Sequence, residues 1–184
     1  MTHGRRLELA FVATLALAAC GKAQEAAGEK AAEKMIESAL SKDGTQAKVN
    51  LSEGGVKVST TDGSGKATQM ELGDTSKISE ADLGVPFYPG AKLSEGSAMR
   101  IASSDSVSHQ MGLHSDDAPD KVAAFYRDKL KAMAGGKQLI DMAGTDGASL
   151  NLIDDKAKAS LQVQVSKADK GSDIAILSIR DKTK

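Results

Sequence analysis

The sequence predicts an α+β body: an antiparallel sheet packed by one main helix over 118–134, preceded by a small helix-plus-hairpin module. Three observations lead there. Val122, Phe125, Tyr126, Leu130 and Met133 recur at three- and four-residue intervals, which is the apolar stripe of an amphipathic helix. Short runs of alternating apolar residues lie on both sides of it, separated by Gly-, Asp- and Ser-rich turns. One helix laid on an antiparallel sheet is the economical way to bury both apolar faces.

The elements follow in chain order. Arg5 and Arg6 precede an apolar run from Leu9 to Ala19, too short to span a bilayer and about the length of a signal-peptide core. Residues 20–28 are small and polar and read as a tether. A first module over 29–73 starts with a helix from about Glu29 to Ser41, whose Ala32, Met35, Ile36, Ala39 and Leu40 form the side expected to be buried. Lys42-Asp43-Gly44 ends that helix. Strands around Val49 and Leu51, Val56 and Val58, and Met70 and Leu72 follow, with turns at Glu53-Gly54-Gly55 and Asp62-Gly63-Ser64-Gly65. Residues 74–90 are a connector ending in Pro86-Phe87-Tyr88-Pro89-Gly90, where proline at the first central position and glycine at the second favour a type II turn.

A second module over 91–184 opens with an extended run from about Ala98, carrying Met99 and Ile101. A strand follows in which Val107, His109, Met111 and Leu113 share one face. Ser115, Asp116, Asp117 and Asp120 surround Pro119 and are expected to cap the main helix and complement its dipole. Gly135-Gly136 stops it. Strands are expected at 137–143, 148–153, 159–167 and 173–180; in the last, Ile174, Ile176, Leu177 and Ile179 suggest burial on both faces.

Leu17-Ala18-Ala19-Cys20, placed directly after the apolar core, resembles the lipobox of bacterial lipoproteins. The resemblance implies cleavage before Cys20, a diacylglycerol on its thiol, and a body held to a membrane by lipid. Gly4 and Leu7-Glu8 fit a twin-arginine signal poorly, so general secretion is expected. Gly21-Lys22 lack the aspartate that resembles an inner-membrane retention signal. The expected address is therefore the cell envelope, at the outer membrane facing the periplasm if the cell is Gram-negative. A second resemblance rests on Tyr88-Pro89-Gly90-Ala91, Ser115-Asp116-Asp117 and Val122-x-x-Phe125-Tyr126-x-x-x-Leu130: this arrangement is similar to one recurring in bacterial exported proteins, and it implies no particular activity.

Composition narrows the function. Cys20 is the sole cysteine, so the body folds without disulfides. The formal net charge is −1, and loss of Arg5, Arg6 and Glu8 with the signal moves it to −2. Mixed, near-neutral charge argues against a nucleic-acid partner. The aromatics outside the signal form two pairs, Phe87-Tyr88 and Phe125-Tyr126, and the large area each buries suggests that the pairs meet and pin the helix.

Signals for chemistry are weak. His109 and His114 lie five residues apart on a strand, on opposite faces, so with Asp116 they form only a poor metal set. Asp116, Asp117 and Asp120 are explained by capping, Met99, Met111, Met133 and Met142 by packing. No nucleophile motif, zinc motif or phosphate loop is present, and no cofactor is implied. The expected function is that of a non-enzymatic binding or interaction module that binds another envelope protein, peptidoglycan or a small molecule. A small-ligand or metal carrier of the periplasm is the alternative, ahead of a hydrolase with an unrecognised site.

Overall fold

A computed structural model describes residues 28–41, 44–52, 55–73, 78–94 and 96–182. Among them the sheet dominates. Its strands are β1 (Gln46–Ser52), β2 (Gly55–Thr61), β3 (Ala67–Leu72), β4 (Lys92–Leu93), β5 (Met99–Ala102), β6 (Ser106–Ser115), β7 (Gln138–Gly144), β8 (Gly147–Asp154), β9 (Ala159–Lys167) and β10 (Ser172–Asp181). The helices are α1 over 28–40, α2 (Glu80–Leu83) and α3 (Pro119–Met133).

All ten strands join one antiparallel sheet in the order β1-β2-β3-β5-β6-β10-β9-β8-β7, with β4 added beside β6. This corrects the expected fold class. The protein is a sheet-dominated fold and not an α+β body organised around one packing helix. Strands from both sides of the 74–90 connector belong to this one sheet. From β3 the chain makes an excursion through α2 and β4, then returns to lay β5 against β3, with Leu72 opposite Met99 and Gln69 opposite Ala102.

Two apolar surfaces on opposite faces explain why one sheet can serve both halves. From β6 to β8 the apolar parity faces α3: Met111 and Leu113, Ile174 and Ile176, Val163 and Val165, and Leu150 and Leu152 are buried there. Val122, Tyr126 and Leu130 of α3 cover them, with Leu83, Val85 and Tyr88 from the excursion. Each such side chain, fully buried, contributes roughly 1.5–3 kcal/mol. In β1, β2, β3 and β5 the parity reverses. Val49, Val58, Met70 and Ile101 lie in register across four strands, beside Leu51, Val56, Leu72 and Met99. Ile101 pairs with Ser108 of β6, which has the opposite parity to the buried His109, Met111 and Leu113, so this second surface is on the face away from α3.

Several local expectations need correction. β10 buries Ile174 and Ile176 but leaves Leu177 half-buried and Ile179 exposed, because nothing among the described residues layers the face away from α3 there. The apolar side of α1 is not buried: Met35, Ile36 and Leu40 are exposed, and the polar side meets the sheet instead. Capping does not account for the aspartates before α3. Its N-cap is Ala118, with no side-chain bond, and Pro119 opens the first turn with Asp120. A full capping box occurs at α2, between Ser79 and Asp82. The turn at Tyr88–Ala91 forms as expected: Ala91 N–H donates to the Tyr88 carbonyl at 3.0 Å, and Gly90 adopts φ 78°. The expected turns at Lys42-Asp43 and Glu53-Gly54 lie outside the described residues. Gly171 (φ 77°), just before β10, has a sterically required role, since a Cβ there would fall 2.0 Å from the Ser115 carbonyl oxygen.

Candidate functional site

Cys20 lies outside the described residues, so the sites that the structure builds belong to the body. The two aromatic pairs meet. The Tyr88 ring is edge-on to Phe125 with centroids 5.2 Å apart, and Phe125 is edge-on to Tyr126 at 5.1 Å. Tyr88 N–H donates to the Tyr126 hydroxyl at 3.0 Å, and Phe87 packs at the margin of the same core. Burial pushes the Tyr126 phenol well above its ordinary pKa, which keeps it a neutral hydroxyl.

Asp117 serves this cluster rather than the helix end. Its carboxylate accepts from the Tyr88 hydroxyl at 2.7 Å and from Lys121 at 2.9 Å, and both bonds hold its pKa below the usual range. Its carbonyl accepts from Ser172 Oγ at 2.6 Å. One aspartate therefore ties the Pro89-Gly90 turn, α3 and β10 together. Asp116 beside it is exposed.

The histidines are not brought together. His109 is buried on the α3 side of β6. His114 is on the other face, where Nδ1 lies 2.8 Å from Asp173 of β10. Five residues of strand separate them by about 16 Å, so His109, His114 and Asp116 do not converge on one ion. No cluster of three or more metal-ligating side chains occurs among the described residues.

His109 sits in a polar seam that fastens α2 to the sheet. Arg100 of β5 and Ser178 of β10 flank it in register. Burial lowers its pKa, with Arg100 and Arg180 adding to the effect. The carboxylate of Asp82 and a hydrogen bond to the Asp82 backbone oppose it. Arg180 donates to the Ala81 carbonyl at 3.2 Å. His109, Ser178 and Asp82 are the residue types of a hydrolytic triad, but not its geometry. The Asp82 carboxylate is committed to Ser79, accepting its N–H at 2.9 Å and its hydroxyl at 2.6 Å. A cleft of about 130 Å³ adjoins the seam, between Leu83, Met133, Leu152, Leu161 and Arg180. On the opposite face a larger open groove of about 510 Å³ runs over Gln110, Gly112, Gln164 and Ala175, with Ser97 and Asp173 among its walls.

The sheet's two edges differ sharply. Along β1 the outward N–H groups of Ala47, Val49 and Leu51 donate to Ser41 Oγ (3.0 Å), Glu37 Oε1 (2.8 Å) and Glu33 Oε1 (2.7 Å). The match is geometric. Four residues of helix advance about 6 Å and two residues of strand about 6.6 Å, so one acceptor falls opposite each free N–H. This closes an edge that would otherwise template pairing.

At β7 the parity of free groups can be derived. Lys167 N–H bonds the Asp146 carbonyl across the Gly147–Ser166 pair, so Gly147 turns its own amide toward Gly144. Even-numbered residues of β7 then bond β8, and the amides of Leu139, Asp141 and Ala143 face outward. The sheet order ends there among the described residues. Met142 is 55% exposed beside this edge, and Asp141 is held by Arg127 of α3, with Nη2 at 3.1 Å from Oδ1.

No family model, curated protein or solved structure matches the chain. The functional reading therefore rests on these residues.

Proposed function

We propose that this protein is a lipid-anchored envelope lipoprotein, held at Cys20, whose body is a non-enzymatic interaction module that takes a partner polypeptide as an added strand on β7. The anchor is supported by sequence: the apolar core to Ala19, the Leu17-Ala18-Ala19-Cys20 box and the short polar tether. One acyl chain binds a bilayer only marginally, whereas the two chains of a diacylglycerol make a stable attachment. The compartment of the partner follows from Gly21-Lys22, which favour the outer membrane facing the periplasm in a Gram-negative cell.

The interaction reading is carried by the contrast between the edges. Two side chains of α1 and that of Ser41 just after it close β1, while three outward amides of β7 stay available for main-chain pairing, with Met142 and Ile140 alternating on one face to give side-chain selectivity. A photo-crosslinking residue at Met142, activated in intact cells, is expected to yield a discrete adduct with one envelope protein. Ala143→Pro removes an outward N–H without disturbing a bond to β8, and proline is tolerated at such edge positions. The adduct should be lost in that variant while its thermal unfolding stays within a few degrees of wild type. An adduct that survives Ala143→Pro at full yield contradicts strand addition.

A further inference from the structure

Resting on the anchored reading, we infer that α1 lies on the bilayer that holds Cys20, with Met35, Ile36 and Leu40 seated at the boundary between headgroups and acyl chains. Six large apolar side chains are exposed among the described residues, and three of them, Met35 (75%), Ile36 (38%) and Leu40 (43%), belong to α1. The others, Leu93, Met142 and Ile179, are spread over three strands. The concentration on one short helix is a surface feature in need of a partner.

The orientation of that stripe is set by the fold. Glu33, Glu37 and Ser41 are bound to β1 and occupy an arc of about 80° on the helix. Counting about 100° per residue from Glu33, Met35, Ala39, Ala32, Ile36 and Leu40 fill the arc from roughly 200° to 340°. The docked arc is centred at about 40° and the apolar arc at about 270°, so the bonds to β1 turn the apolar side about 130° away from the sheet edge and leave Met35, Ile36 and Leu40 exposed.

Position selects the occupant. Residue 28 lies eight steps along the chain from Cys20, and a fully extended chain over eight steps spans at most about 28 Å. α1 begins within that reach of the lipid, so the membrane surface is present near the stripe at a high effective concentration. A second copy of the chain is a poorer fit. Three side chains on one helix cover far less than the roughly 800 Å² per partner of a stable interface. A shallow interfacial site needs only an apolar stripe of this size alongside a covalent anchor.

The experiment uses the full lipidated protein in phosphatidylcholine vesicles. Cys20 is the sole cysteine and its thiol is consumed by lipid in the anchored form, so Met35→Cys adds one free thiol for an environment-sensitive fluorophore. Asp155→Cys, in the exposed turn between β8 and β9, is the reference position. The expected result is blue-shifted emission at position 35, quenched several-fold more by a lipid-borne quencher than the dye at position 155, and several-fold less by aqueous iodide. Equal iodide quenching at both positions in protein that floats with vesicles overturns the helix inference alone. Protein that fails to float overturns the anchored reading, and the helix inference with it.

Discussion

Replacing Tyr126 with phenylalanine deletes one oxygen from the centre of the fold. Tyr126 is fully buried and Tyr88 nearly so, and the Tyr88 N–H has the Tyr126 hydroxyl at 3.0 Å as its partner. The phenylalanine ring keeps the edge-on contact with Phe125 and the packing under the sheet, so little apolar burial is lost. What remains is a buried amide without its acceptor, which costs about 1–3 kcal/mol. The removed hydroxyl no longer has to be desolvated, which offsets part of that, and a net loss of about 1–2 kcal/mol is expected. At about 2–4 °C per kcal/mol for a chain of this size, the melting temperature should fall by roughly 2–8 °C. Urea unfolding of the body, followed by far-ultraviolet circular dichroism, should show a lower midpoint at an unchanged slope. A loss below about 0.3 kcal/mol would mean that this bond does not hold the turn to α3, and would refute the reasoning.

Two further predictions concern the seam and the closed edge. Burial lowers the folded-state pKa of His109 beneath its unfolded value near 6.5, so the unfolded chain binds more protons in that window. The resulting stability is fully present above about pH 6.5 and is lost as pH falls through the lowered pKa. His109→Gln should flatten the slope of unfolding free energy against pH between about 5 and 7, and an unchanged slope would refute the assignment. Glu33→Ala with Glu37→Ala leaves two outward amides of β1 without acceptors. The pair should cost about 0.5–1.5 kcal/mol for each bond and raise concentration-dependent light scattering. A double variant with wild-type midpoint and scattering contradicts the edge-closing role.

Much of the strand content is readable from alternation, because one buried face imposes a period of two. Val107, His109, Met111 and Leu113 do share the α3 side of β6, and β8 and β9 fall close to their expected bounds. The union of the two halves is not readable. It depends on β5 returning to β3 after a long excursion, and on apolar parity switching faces at that junction. Periodicity likewise shows that α1 has two sides without showing which one docks. Main-chain donors on β1 recruit its carboxylates, and that demand appears only once the strand is an edge. Asp117 departs from its expected capping role for a similar reason: local spacing favours the helix end, while Tyr88 claims the carboxylate from 29 residues away. The aromatic pairs are legible, since four large rings in a body rich in alanine and valine have few ways to be buried apart. The open edge at β7 is not, because hydrogen-bond parity exists only after the pairing of β8 with β9 is known.

The proposed attachment through Cys20 underlies both the proposed interaction module and the inferred membrane-lying helix. The most direct measurement is metabolic labelling with a clickable palmitate analogue, combined with membrane fractionation of wild type and Cys20→Ala. Label on the wild type, none on the variant, and release of signal-cleaved, exported variant into the soluble fraction is the predicted result. A wild type that takes up no label, or an exported and cleaved variant that stays with the membranes, contradicts it.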